Sequence, residues 1–151
     1  MMVREPQVKG HQNLDFYAKL ERVQSVLERI QREREPALSS LPREIFDVVQ
    51  YIHTHLFEPS LNVNTARAGC RLRNNNVSTR FRQVLGVGIR EYIEILRLEA
   101  AVSLLREECV ELYLVGMAVG YSHQETFCRA FHRRFRKTPS ELRFDPQAGP
   151  S

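Results

Sequence analysis

Between Gln124 and Lys137 the chain sets a glutamine, a glutamate and several arginines on what would be the outward faces of a helix. Phe127 and Phe131, four residues apart, would hold its inner side. Such groups do hydrogen-bond recognition rather than bond-breaking. Glutamine can pair with adenine through two bonds, glutamate can accept from cytosine N4, and arginine can fork onto guanine O6 and N7. Gln124, Glu125, Cys128, Arg129, His132 and Arg133 share these faces. The cations Arg133, Arg134, Arg136 and Lys137 suit backbone phosphates, which position a protein on DNA without specifying sequence. The chain holds no glycine-rich phosphate loop, nucleophile elbow or zinc-ligand spacing, so no catalysis, cofactor or metal is expected. His53 and His55, two apart on a predicted helix, point in different directions and make a poor metal pair.

A helix can read base edges only when another braces it in the major groove. The apolar run Glu111–Val119 predicts the brace, Gly120-Tyr121-Ser122-His123 the turn, and Gln124–Phe135 the reading helix. Gly120 suits a left-handed turn position where a side chain would be strained. The same plan occurs earlier in the chain. Phe81 and Phe131 lie fifty residues apart, and aligning them pairs Val77 with Phe127, Leu85 with Phe135 and Tyr92 with Leu142. After a one-residue gap in the turn, Val63 pairs with Leu112, Cys70 with Val119 and Leu72 with Tyr121. Two short helices bury little surface by themselves. A helix over Pro42–Leu56, with Ile45, Val48, Val49 and Ile52 at helical spacing, and a long helix over Ile89–Glu107 would complete the cores. The acidic end of that long helix, Glu107 and Glu108, has the wrong sign for a helix C-terminus. The expected fold class is all-α: two helix-turn-helix subdomains bridged by a long helix and preceded by an N-terminal amphipathic helix.

The 151 residues carry a formal charge of +4, concentrated between Leu112 and Arg143, which favours a polyanionic partner such as double-stranded DNA. A hydrophobic content of 42% suffices for a core, and no apolar run approaches the length that spans a bilayer. Three cysteines without close pairing and a polar N-terminus predict a cytoplasmic location. The expected division is an arm and linker over 1–40, the double unit over 41–143 and a tail over 144–151. In the arm, Phe16, Leu20, Val23, Leu27 and Ile30 are spaced 4, 3, 4 and 3, the a and d positions of a heptad. That stripe can pack on the main domain or pair with a second copy as a homodimer; the spacing leaves both open.

The stretch from Gly120 to Phe131, followed by Phe135, Thr138-Pro139-Ser140 and Arg143, resembles the C-terminal motif of the AraC/XylS family of transcription regulators. Arg97-Leu98-Glu99-Ala100-Ala101 with Leu104-Leu105 resembles that family's linker helix, and the likeness covers about Pro42 to Arg143. The resemblance implies two recognition helices in successive major-groove segments, and activation through contact with RNA polymerase. It assigns base contacts to Gln124, Glu125 and Arg129 in the second unit and to Asn75, Ser78 and Thr79 in the first. The sequence departs from the pattern at several places. Thr79 stands where arginine is usual, Arg67 where a small residue lets helices approach, Arg71 and Arg136 where glycines are usual, and Gly116 where alanine is usual. The expected consequence is a second unit that specifies and a first that mainly grips. The grip would come from Arg71, Arg73, Arg80 and Arg82 on phosphates, or from Asn74, Asn75 and Asn76 on bases. With about forty residues ahead of the double unit, the ligand-sensing β-barrel that many family members carry is not expected here. Regulation is then expected through protein level, the arm, a partner or a cysteine. The rival expectations are a protein-interaction module with a degenerate first unit and an architectural DNA binder.

Overall fold

A computed structural model describes residues 40–70, 76–107 and 110–145, together with Glu21, Gln24, Ser25, Glu28, Arg29 and Arg32, which are helical and exposed. The arm residues Phe16, Leu20, Val23, Leu27 and Ile30 lie outside the described residues, as do residues 71–75, and with them Arg73 and Asn75. The described residues from 40 to 145 form seven helices, and no described residue lies in a strand: α1 (Arg43–His55), α2 (Val63–Gly69), α3 (Val77–Leu85), α4 (Ile89–Leu105), α5 (Leu112–Ala118), α6 (Gln124–Phe135) and α7 (Pro139–Phe144). No helix among them is long and apolar enough to cross a membrane.

Two cores form, and α4 serves both. Ile45, Val48, Val49 and Ile52 of α1, Phe81 of α3 and Ile89, Ile93 and Leu96 of α4 fill the first. Leu98, Ala101, Leu104 and Leu105 of α4 with Val115, Phe127 and Phe131 fill the second. Helices of seven residues such as α2 and α5 do not persist alone, so packing and caps must hold them. Asn62 Oδ1 accepts from the Thr65 amide at 3.0 Å while Thr65 Oγ1 accepts from the Asn62 amide at 2.8 Å, closing a capping box on α2. At the end of α5 the Tyr121 amide donates to Gly116 O at 2.9 Å and the Gly120 amide to Met117 O at 3.1 Å. With Gly120 at φ +108°, this is a Schellman stop that turns the chain into α6.

The repeat is visible in burial. Residues 77–90 and 127–140 follow the same order of buried, half-buried and exposed positions, except that exposed Arg80 stands where Ala130 is buried. α3 and α6 both stop on a left-handed residue, Gly86 at φ 82° and Arg136 at φ 60°. For arginine that conformation is unfavourable by about 1–2 kcal/mol. Arg136→Gly should therefore raise stability, by about 0.5–1 kcal/mol once the greater freedom of the unfolded chain is subtracted. The same variant should bind DNA more weakly if Arg136 meets a phosphate; urea titration and a binding isotherm check the two halves.

The units differ in how the brace meets the reading helix. α5 packs directly on α6, whereas α2 and α3 are each held chiefly by α1. The repeat explains this, because Gly116 lies close against the Phe127 ring, where an added Cβ would meet Cδ2 at 2.8 Å. The matching positions in the first unit hold Arg67 and Val77, a long side chain where closeness would need a small one. The long helix also differs from expectation. It ends at Leu105, before Glu107, so the acidic pair is not its last turn. Arg143 of α7 instead donates from Nε to Leu105 O at 2.8 Å and from Nη2 to Glu107 O at 3.3 Å, placing a cation at that terminus.

Candidate nucleic-acid interface

α6 presents Gln124, Glu125, Arg129, His132 and Arg134 to solvent while Phe127, Ala130 and Phe131 are buried. Its inner side is fixed by a row of rings, Tyr121 to Phe127 at 5.4 Å, Phe127 to Phe131 at 5.7 Å and Phe131 to Phe135 at 4.7 Å. A reading helix needs such fixing because its side chains must meet base edges within a few tenths of an ångström. Arg129 and Glu125 lie 3.6 Å apart with side chains 79% and 87% exposed. An exposed pair one helical turn apart contributes only about 0.3–0.5 kcal/mol, so base edges can displace it.

In α3, Thr79 is exposed at the position equivalent to Arg129, and Ser78 is half-buried at the position of Cys128. Arg82 is exposed, with its guanidinium against Gly88. α6 and α3 each border a cleft. A cleft of about 430 Å³ is lined by Thr126, Arg129 and Arg133 of α6, by Arg90 and Glu94 of α4 and by the start of α2 at Val63. A second, of about 380 Å³, is lined by Ser78, Thr79 and Arg82 of α3 with the same Val63 and Arg90. Val63 and Arg90 line both clefts, so the two adjoin.

Several of the cations expected at phosphates have intramolecular partners. Arg133 Nη2 donates to Glu94 Oε1 at 2.9 Å, and that bond together with the Glu94 charge holds the guanidinium above its ordinary pKa. Arg80 pairs with Glu44 of α1, which follows from its standing where the second unit buries Ala130. Lys137 pairs with Asp145, just beyond the expected domain end at 143. Arg134 and Arg136 are exposed.

Arg90, Glu94 and above all Arg97 belong to this surface although residue type and motif spacing did not single them out as site residues. The signal for Arg97 was present: helical spacing puts it on the stripe of Ile93, Ala100, Ala101 and Leu104, a charge among core residues. It is buried, and burial pushes its pKa below the ordinary guanidinium range, with Tyr121 opposing. Burial, followed by Glu94, pushes the Tyr121 phenol up to about 12, with Arg97 and Arg133 pulling the other way. The two histidines have separate partners: His53 Nε2 meets the Tyr92 hydroxyl and His55 Nδ1 meets Glu58 Oε2, each at 2.8 Å. Cys70 packs against the first core, as the repeat predicts.

Comparison with known proteins gives this geometry a family. Residues 70–144 match the family model described as a helix-turn-helix domain. The regulatory protein SoxS of Escherichia coli strain K12 is 31% identical over 99 residues, which cover 66% of this chain and 92% of SoxS. The arabinose operon regulatory protein of the same strain is 28% identical over 120 residues, 80% of this chain but 41% of that longer protein. Among solved structures, the C-terminal domain of AraT, a response regulator from Geobacillus stearothermophilus, superposes with a TM-score of 0.66 at 23% identity, covering 69% of this chain and 86% of that one. That likeness supports the fold. The chain belongs to the AraC/XylS family of DNA-binding helix-turn-helix transcription regulators.

Proposed function

We propose that the protein reads two DNA boxes on one side of the duplex, with α6 in one major-groove segment and α3 in the next. The observation that carries this reading is the pair of adjoining clefts, one bordered by α6 and the other by α3, with Val63 and Arg90 lining both. Gln124, Glu125 and Arg129 address bases in the second box, and Asn75, Ser78 and Thr79 address the first. Arg73, Arg82, Arg134 and Arg136 hold phosphates. Arg133, Lys137 and Arg80 join them by exchanging a carboxylate partner for a phosphate. The weaker contact between α2 and α3, and Thr79 in place of arginine, favour a first unit that grips more than it specifies. Activation through RNA polymerase is the output that the family resemblance implies, in the cytoplasm and without catalysis.

Arg129→Ala should relax preference at one base position and cost about 1–3 kcal/mol of binding, while Arg134→Ala should weaken every sequence alike. Binding isotherms on matched and mismatched duplexes check this, and two variants that both bind every duplex like the wild type would refute the division of roles. The heptad spacing in the arm supports pairing of two copies through Phe16, Leu20, Val23, Leu27 and Ile30. Leu20→Glu combined with Leu27→Glu should then halve the mass seen by sedimentation equilibrium; an unchanged mass would remove the dimer from the account.

A further inference from the structure

One side chain closes the seam between the two units. Arg97 stands in the middle of α4, between Leu96 of the first core and Leu98 of the second. Its guanidinium turns inward, with the residue only 8% exposed; His53 is the other polar residue buried to this degree among the described residues. Nε donates to Leu56 O and Nη2 to Glu58 O, each at 2.8 Å, and both carbonyls belong to the connection between α1 and α2. Phe57, between them, packs against both cores. The other side of the guanidinium faces the turn of the second unit. A Cβ at Gly120 would lie 2.8 Å from Nε, and the Tyr121 ring centroid is 5.8 Å from Cζ.

A planar cation is thus tied to the first unit by two charge-assisted hydrogen bonds and covered by the turn that aims the second unit's reading helix. Burying a guanidinium is costly, and an apolar side chain would fill the same stripe of α4 without desolvating a charge. Bonds to carbonyls fix direction as well as distance, which apolar packing does not.

We propose that Arg97 is a positioning residue that sets the angle and distance between the two recognition helices, and through them the separation of DNA boxes the protein accepts. The inference rests on the two-box reading above, so its test has one arm that needs no DNA. Residual dipolar couplings from α1–α3 and from α5–α7 should fit one alignment tensor in the wild type and require two in Arg97→Met, with the chemical shifts of each core retained. In the second arm, the two selected boxes are moved apart in single base-pair steps. Rigidly joined readers concentrate the second contact at one spacing, so wild-type affinity should fall on the order of tenfold off the optimum, and that of Arg97→Met by less than about threefold. Arg97→Lys, which keeps a cation and a donor, should restore part of the preference.

One tensor for Arg97→Met, with the spacing preference of the wild type, would overturn the proposal. If Arg97→Met does not fold, the same two measurements on Arg97→Lys decide it, a wild-type result again overturning it. If the wild type itself shows no spacing preference, the two-box reading fails and the couplings alone decide the role of Arg97.

Discussion

Phe131→Ala should destabilise the second unit by about 3–5 kcal/mol, the usual cost of emptying a buried aromatic site. Phe131 is fully buried and stands in the middle of the aromatic row that backs α6, so its removal leaves Phe127 and Phe135 without their common neighbour. A domain of this size has a total stability of only about 5–15 kcal/mol, so the loss is a large share of it. The two cores predict where it will fall. Amide exchange should rise in α5, α6 and α7 and in the second half of α4, and α1 to α3 should remain better protected. Phe81→Ala, at the matching position of the first core, should give the mirror image. Equal loss of protection throughout both units in either variant would mean that α4 makes them one cooperative block.

Gly120→Ala should cost about 3–5 kcal/mol through two effects. At φ +108° a side chain is strained by about 1–3 kcal/mol. The new methyl group would also lie 2.8 Å from Arg97 Nε, forcing it off the Leu56 carbonyl, and a hydrogen bond from a charged donor contributes about 1.5–3 kcal/mol. Gly86→Ala separates the terms, because its φ is +82° but nothing lies within 4 Å of an added Cβ. It should show the strain alone, about 1–2 kcal/mol. Chemical denaturation of the pair measures the difference, and equal losses would show that Arg97 yields to the methyl group at little expense.

The second unit was legible in detail because local signals coincide there. Phe127 and Phe131 one turn apart, a glycine at the turn and Thr138-Pro139 ahead of α7 all act within a few residues, and α6 runs over the expected Gln124–Phe135. Thr138 Oγ1 accepts from the Glu141 amide at 3.1 Å, the cap that such a pair of residues provides. The two-unit plan was legible from the spacing of Phe81 and Phe131. What escaped was interaction across long separations. The cation at the end of α4 comes from Arg143, 38 residues beyond Leu105, so the acidic pair alone gave the wrong picture of that terminus. Arg97 reads on a helical wheel as a stray charge in a core stripe, and only the distant Leu56, Glu58 and Gly120 give it meaning. Likewise Arg80 sits beside Thr79 in sequence yet turns to Glu44, because the helix puts successive residues a hundred degrees apart. The departure at Arg67 was legible as a residue, and its effect emerges from the looser contact of α2 with α3.

If α6 and α3 each read a box, selection from a pool of randomised duplexes at near-physiological salt will reveal both. Two short boxes about one helical turn apart should be enriched, the box under α6 more sharply defined than the box under α3. Salt-sensitive binding without enrichment of any sequence would contradict the two-box reading, and would mean that the arginines hold the backbone while neither helix reads a base.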